Sequence, residues 1–231
     1  MTPDASPFGP MSPPPWLRAL AGRFVVFEGP DGSGKSTQFR RLSELCTAAG
    51  LTVTTVRDPG GTPAGERVRE ILLDRALTGM SVRCEMLLYM ASRAELVEQR
   101  ILPALQQNHL VLADRFVPST LAYQGAAGGL PGADIAAVAR VATRGLMPDA
   151  VVLFDIDERA AAARLRPLLL DRMEAKGLDF HRRVRQGYLD QAKADPRRYV
   201  LVDASKPEAA VWAELLASLR VRAEAFASPR D

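Results

Sequence analysis

The chain has 231 residues, 47% of them hydrophobic and 25% charged, enough to bury a sizeable core in one α/β domain. Its 30 basic and 27 acidic residues leave a net charge of +3, too balanced for a protein that holds nucleic acid by neutralising phosphates. No apolar run approaches the length of a membrane span, so neither nucleic acid nor membrane is expected as a partner. Two cysteines, Cys46 and Cys84, match no metal or redox spacing and are expected to be buried, reduced thiols of a cytoplasmic protein.

Met1 to Pro15 carries six of the 17 prolines, and residues 1–22 are expected to form a disordered, proline-rich extension. One domain is then expected to span 23–228. Residues 24–28 form a short apolar run of the kind that reads as a fully buried parallel strand, as do 52–57, 110–114, 150–155 and 199–203. Helical patterns lie between them. Phe39, Leu42, Leu45 and Ala49 repeat at helical spacing from Lys35, with Gly50 as a left-handed stop. The stretch from Ser81 to Arg100 reads as a helix that ends before Pro103. Asp134 is the expected N-cap of a helix ending at Gly145, and Ser205 with Glu208 resembles a capping box for the last helix. Strands alternating with helices predict a parallel sheet covered on both faces. Residues 164–176 mix arginines with Pro167 and a leucine triplet and fit no period; they are the expected lid.

Gly29-Pro30-Asp31-Gly32-Ser33-Gly34-Lys35-Ser36 matches G-x-x-x-x-G-K-[ST] between a strand and a helix. The glycines allow a tight turn whose N–H groups, with the helix N-terminus, cradle phosphate oxygens. Lys35 is expected to reach the β- and γ-phosphates, Ser36 to ligate Mg²⁺, and residues 29–37, through Thr37, to bind ATP. A regulatory GTPase would share this loop. Asp58-Pro59-Gly60-Gly61 fits a D-x-x-G switch, and Ala192-Lys193-Ala194-Asp195 and Ala204-Ser205-Lys206 faintly echo guanine-reading motifs. The last fails chemically, because alanine lacks the side-chain contact needed there.

Four further segments follow in the order found in thymidylate kinases, and the chain resembles that family over nearly its whole length. Arg57-Asp58-Pro59-Gly60-Gly61-Thr62 resembles its R-E-P-G-G-T segment. Residues 87–93, Leu-Leu-Tyr-Met-Ala-Ser-Arg, resemble its base-binding helix. Residues 114–124, from Asp114-Arg115-Phe116 to Ala122-Tyr123-Gln124, are similar to D-R-[YFH]-x-x-S-x-x-A-Y-Q, the most specific of the matches. Asp171-Arg172-Met173-Glu174, with Phe180 and Arg183-Val184-Arg185, resembles the lid and the helix after it.

The resemblance implies a three-layer, P-loop nucleoside-monophosphate-kinase fold around a five-stranded parallel sheet, phosphorylating dTMP to dTDP with Mg·ATP. Arg57 ends a strand, where its planar fork could clamp the acceptor phosphate. Asp114 closes another as a Walker-B-type metal ligand, and Arg115 could neutralise the acceptor phosphate and the moving group. Tyr89 and Arg93, four apart on a helix, share one face. The resemblance implies that Tyr89 stacks on thymine and that Arg93 donates to a pyrimidine carbonyl. It also implies that Ser119, Thr120, Tyr123 and Gln124 line the far side, with Tyr123 a gate against a ribose 2′-OH, and that Asp31 lies near the acceptor sugar and phosphate. Asp58 departs from the usual Glu, a shorter reach, and His181 stands where a second aromatic is common. Gly32 occupies a position where some members carry a basic residue, and those without it use a lid arginine. Arg164, Arg166 and Arg172 are all candidates for it, with Arg166 expected beside Asp31, Lys35 and Arg115 as catalytic.

A deoxynucleoside kinase shares the loop and the Asp-Arg pair and would need a base, for which Asp58 is placed. The Pro-Gly-Gly-Thr turn and the Ala-Tyr-Gln segment argue against it. The helix bearing Cys84, Met86, Leu87 and Leu88 has more apolar surface than one core stripe needs, which with the resemblance suggests a homodimer.

Overall fold

The five apolar runs become five strands. The structure, a computed structural model, describes residues 14–164, 172–173 and 176–227. The strands are β1 (Phe24–Glu28), β2 (Val53–Arg57), β3 (Leu110–Asp114), β4 (Ala150–Asp155) and β5 (Tyr199–Asp203), paired in parallel in the order β2-β3-β1-β4-β5. Register puts Phe27 and Arg57 beside Asp114, so the carboxyl ends of β1, β2 and β3 open at one edge. β1 is buried at every position and β4 at all but its last. The edge strands β2 and β5 are half-exposed, having a neighbour on one side only.

Helices α1 (Lys35–Ala48), α2 (Pro63–Leu73), α3 (Val82–Leu96), α4 (Leu102–Gln106), α5 (Val117–Thr120), α6 (Gly132–Ala142), α7 (Glu158–Ala163), α8 (Leu178–Ala194) and α9 (Glu208–Ala227) cover the sheet. Because side chains alternate along a strand, Val25 and Phe27 join Leu42 of α1 and Leu215 of α9 on one face. Phe24 and Val26 join Met86 of α3 and Ile135 of α6 on the other. Each such buried side chain contributes about 1.5–3 kcal/mol relative to exposure.

Several boundaries differ from expectation. Residues 14–22 are not an extension: Pro15–Leu20 is a 3₁₀ helix whose Leu17 and Leu20 are wholly buried with Leu215 and Leu219 of α9. Three residues per turn bring 17 and 20 onto one face, and Pro15 presets the entry angle. Residues 1–13 lie outside the described residues. The helix from Val82 runs through Pro103, because a π-turn at Val97–Ile101 widens the backbone there and the Leu102 N–H bonds Val97 O. That wider turn removes the clash a proline ring makes with the carbonyl four residues back. Asp134 lies in the first turn of α6, with Pro131 at the cap, and α6 ends at Ala142. The Ser205–Glu208 capping box does not form. Ser205 Oγ donates to Asp203 Oδ1 at 2.6 Å, and Glu208 accepts from Arg41. Cys46 is buried and its thiol pushed up to about 12 by that burial, whereas Cys84 is exposed on the outer side of α3.

Candidate active site

The loop from Gly29 to Gly34 joins β1 to α1 at the open edge. Gly32 has φ +83°, and a Cβ there would lie 2.3 Å from Ala161 O, which explains why no basic side chain occupies this position. Lys35, 5% exposed, donates to Pro30 O at 3.1 Å and lies 3.5 Å from Asp31 Oδ1. Burial and then Arg115 push the Lys35 ammonium below its ordinary value, while Asp31 pulls it back. Burial would raise the Asp31 carboxyl, but Arg115 and Lys35 outweigh it and hold the group well below the usual carboxylate range.

Arg115 follows Asp114 with φ +71°, a left-handed backbone that only a few residues with side chains adopt. Its Nη2 is 2.9 Å from both Asp31 oxygens, and its guanidinium lies 5.4 Å from the Tyr123 ring. Burial pushes the Tyr123 phenol up to about 12, so it stays neutral at physiological pH. Arg57 is half-exposed, and its Nη2 donates to both oxygens of Glu66 at 3.0 Å. Asp31, Arg57, Tyr89, Arg93, Asp114, Arg115, Ser119, Thr120, Tyr123 and Gln124 line one cavity beside the phosphate loop.

A family model for thymidylate kinases matches residues 27–215. A thymidylate kinase of Deinococcus radiodurans is 46% identical over 205 residues, covering 87% of this chain and 98% of that one. One of Caldanaerobacter subterraneus subsp. tengcongensis is 45% identical over 192 residues, covering 83% and 92%. The crystal structure of a thymidylate kinase from Ehrlichia chaffeensis superposes with a TM-score of 0.69 at 31% identity, covering 85% of this chain and 98% of that one. The chain belongs to the thymidylate kinase family. It is therefore a phosphotransferase, and the sheet that carries the cavity is the one this family of kinases shares.

Within that family frame, the side chains that sequence alone left open have definite partners. Arg93 is 1% exposed: its Nε donates to Asp58 Oδ2 at 2.5 Å, Nη1 contacts Met90 Sδ and Nη2 donates to Thr120 Oγ1 at 3.2 Å. Asp58 is thus tied up in a buried ion pair, with no partner on Oδ1 among the described residues. Such a carboxylate is poorly placed to act as a general base. Gln124 donates to Glu85, and Glu85 also receives Arg172 Nη1 at 2.6 Å and Lys176. Arg164 donates to Gly32 O at 3.4 Å and Ala204 O at 3.0 Å, beside the phosphate loop. Arg166, Pro167, Leu168, Leu169, Leu170, Asp171 and Glu174 lie outside the described residues. The other arginines of the basic stretch are engaged elsewhere: Arg182 with Glu158, Arg183 with Ala127 O and Arg185 with Asp155. His181 packs edge-on against Phe180.

Two residues at the site, Glu28 and Tyr188, carried no sequence signal. Glu28 reads as the end of an apolar strand, and Tyr188 as one more apolar position on an amphipathic helix. Yet both are buried against Arg115 and Ser119.

Proposed function

We propose that the protein phosphorylates dTMP to dTDP with ATP as donor, in line and without a general base. The attacking phosphate oxygen is already ionised at neutral pH, so the demands are positioning, charge neutralisation and exclusion of water. What supports this most is one cavity that combines cations at the phosphate-loop end with a tyrosine and a buried arginine at the other. In this reading Lys35 and Arg115 neutralise the moving group, Arg57 leaves Glu66 for the acceptor phosphate, and Asp31 steers Arg115. Tyr89 stacks on the base, while Thr120 holds Arg93 toward its carbonyl.

Mg²⁺ fits the residues present. Ser36 is the second residue of α1, and Asp114 Oδ1 is buried without a partner among the described residues. One hydroxyl and one carboxylate are what a phosphate-loop metal takes from protein, the rest being phosphate and water. Held by those residues, the ion would offset the negative charge that develops on the donor phosphates.

A coupled ADP-release assay across nucleosides and nucleoside monophosphates tests the reading. dTMP is the best acceptor and dUMP a poor but detectable one, because the methyl it lacks contributes only about 1 kcal/mol. Thymidine as the better acceptor would overturn the assignment. A cytoplasmic location suits the two free thiols. We also assign a homodimer to the outer side of α3, where Leu87 is 50% exposed beside Cys84. Sedimentation at micromolar concentration gives a dimer, and Leu87→Glu gives a folded monomer; a monomeric wild type sinks this.

A further inference from the structure

Glu28 closes β1 directly before the phosphate loop and is fully buried. A carboxylate in that setting is heavily penalised unless its lone pairs are satisfied, and here all of them are. Oε1 accepts the Phe116 N–H at 2.8 Å and the Ser119 N–H at 3.2 Å. Oε2 accepts the hydroxyls of Ser119 at 2.7 Å and Tyr188 at 2.8 Å. Burial raises this carboxyl and Arg115 opposes it, while four donors on two oxygens select the ionised form.

The hydroxyls are the informative part. Each has one hydrogen and lies within bonding distance of Glu28 Oε2, so with the hydrogens drawn to the carboxylate what remains toward Arg115 is lone pairs. Arg115 Nη1 lies 3.1 Å from Ser119 Oγ and 3.2 Å from the Tyr188 oxygen. The two hydroxyl oxygens are 2.8 Å apart, within reach of a bond between them, and neither arrangement of their hydrogens turns one on Arg115, which can only donate.

We propose that Glu28 is a positioning residue for Arg115: it takes the Ser119 and Tyr188 hydrogens, turns both oxygens into acceptors, and so locks the guanidinium across Asp31. Its bonds to the Phe116 and Ser119 amides also brace the chain where Arg115 holds its left-handed φ. This rests on the role given to Arg115 above. In Glu28→Gln an amide nitrogen replaces one acceptor oxygen. The hydroxyls must then accept from it and turn their hydrogens on Arg115.

The test is a double-mutant cycle in the full chain with Glu28→Gln, Tyr188→Phe and Arg115→Ala, reading kcat and both KM values. Arg115→Ala alone lowers kcat on the order of several hundredfold. Glu28→Gln lowers it on the order of a hundredfold and Tyr188→Phe about tenfold, with KM for ATP unchanged. Combined with Arg115→Ala, neither adds more than about threefold, since the group they position is gone. Losses that multiply would mean that Glu28 supports the fold only, and the proposal fails. If Glu28→Gln does not fold, the Tyr188→Phe cycle decides by the same criterion. Near-normal turnover in Arg115→Ala alone overturns the assignment of Arg115 itself, and the proposal with it.

Discussion

Lys35→Ala yields a folded protein whose turnover falls about a thousandfold. Lys35 is the one ammonium buried in the loop, and its Nζ is held at 3.1 Å by Pro30 O. In the proposed role, removing it takes away a charged contact to the group being transferred. The fold survives because Asp31 keeps the two-oxygen contact with Arg115 at 2.9 Å, so no carboxylate is stranded. Thermal melting and steady-state kinetics on the same preparation check both halves. A folded variant with near-normal turnover would remove this loop from the chemistry.

Arg93→Ala has a different signature: it damages stability and acceptor choice together. The Arg93 and Asp58 side chains are 1% and 0% exposed, and deleting one partner leaves the other as an uncompensated buried charge. That costs about 3–5 kcal/mol, a fall in melting temperature on the order of 10 °C for a chain of this size. The selectivity effect arises because cytosine presents an amino group where thymine presents O4, leaving the guanidinium facing a donor. An unpaired, desolvated charged donor costs a few kcal/mol, so the wild type prefers dTMP over dCMP by on the order of a hundredfold or more. Arg93→Ala brings that ratio below about tenfold. Adding Asp58→Asn restores part of the melting temperature and none of the preference, which separates the two effects. An unchanged ratio of dTMP to dCMP turnover would show that Arg93 does not read the base.

What the sequence made legible was local. Five strands showed as continuous apolar runs because parallel strands are buried on both faces, and the phosphate loop showed because its glycines, Lys35 and Ser36 are adjacent. The partners of those residues were not legible, since burial and pairing are set by segments far along the chain. Asp58 finds Arg93 across 35 residues, and Glu28 finds Tyr188 across 160. Leu17 and Leu20 look like the end of a proline-rich tail until α9 is laid over them. Pro103 reads as a stop and is one in an ordinary helix; a π-turn five residues wide overrides it. The caps of α6 and α9 failed for a related reason: Asp134 and Ser205 have the right chemistry, but Pro131 and Asp203 lie nearer to the bonds in question.

The cations of the phosphate region are already in company. Arg115 rests on Asp31, Arg57 on Glu66, and Lys35 on a backbone carbonyl. In the proposed reading, nucleotide binding is therefore an exchange of partners rather than the filling of a bare positive trough. In that reading an incoming phosphate oxygen competes with oxygens that the protein supplies itself, and a small inorganic anion, lacking a base and sugar to hold it in place, competes poorly. The protein's own carboxylates, Asp31 and Glu66, would then act as built-in counterions that screen the site against simple salts while yielding to a ligand anchored at both ends.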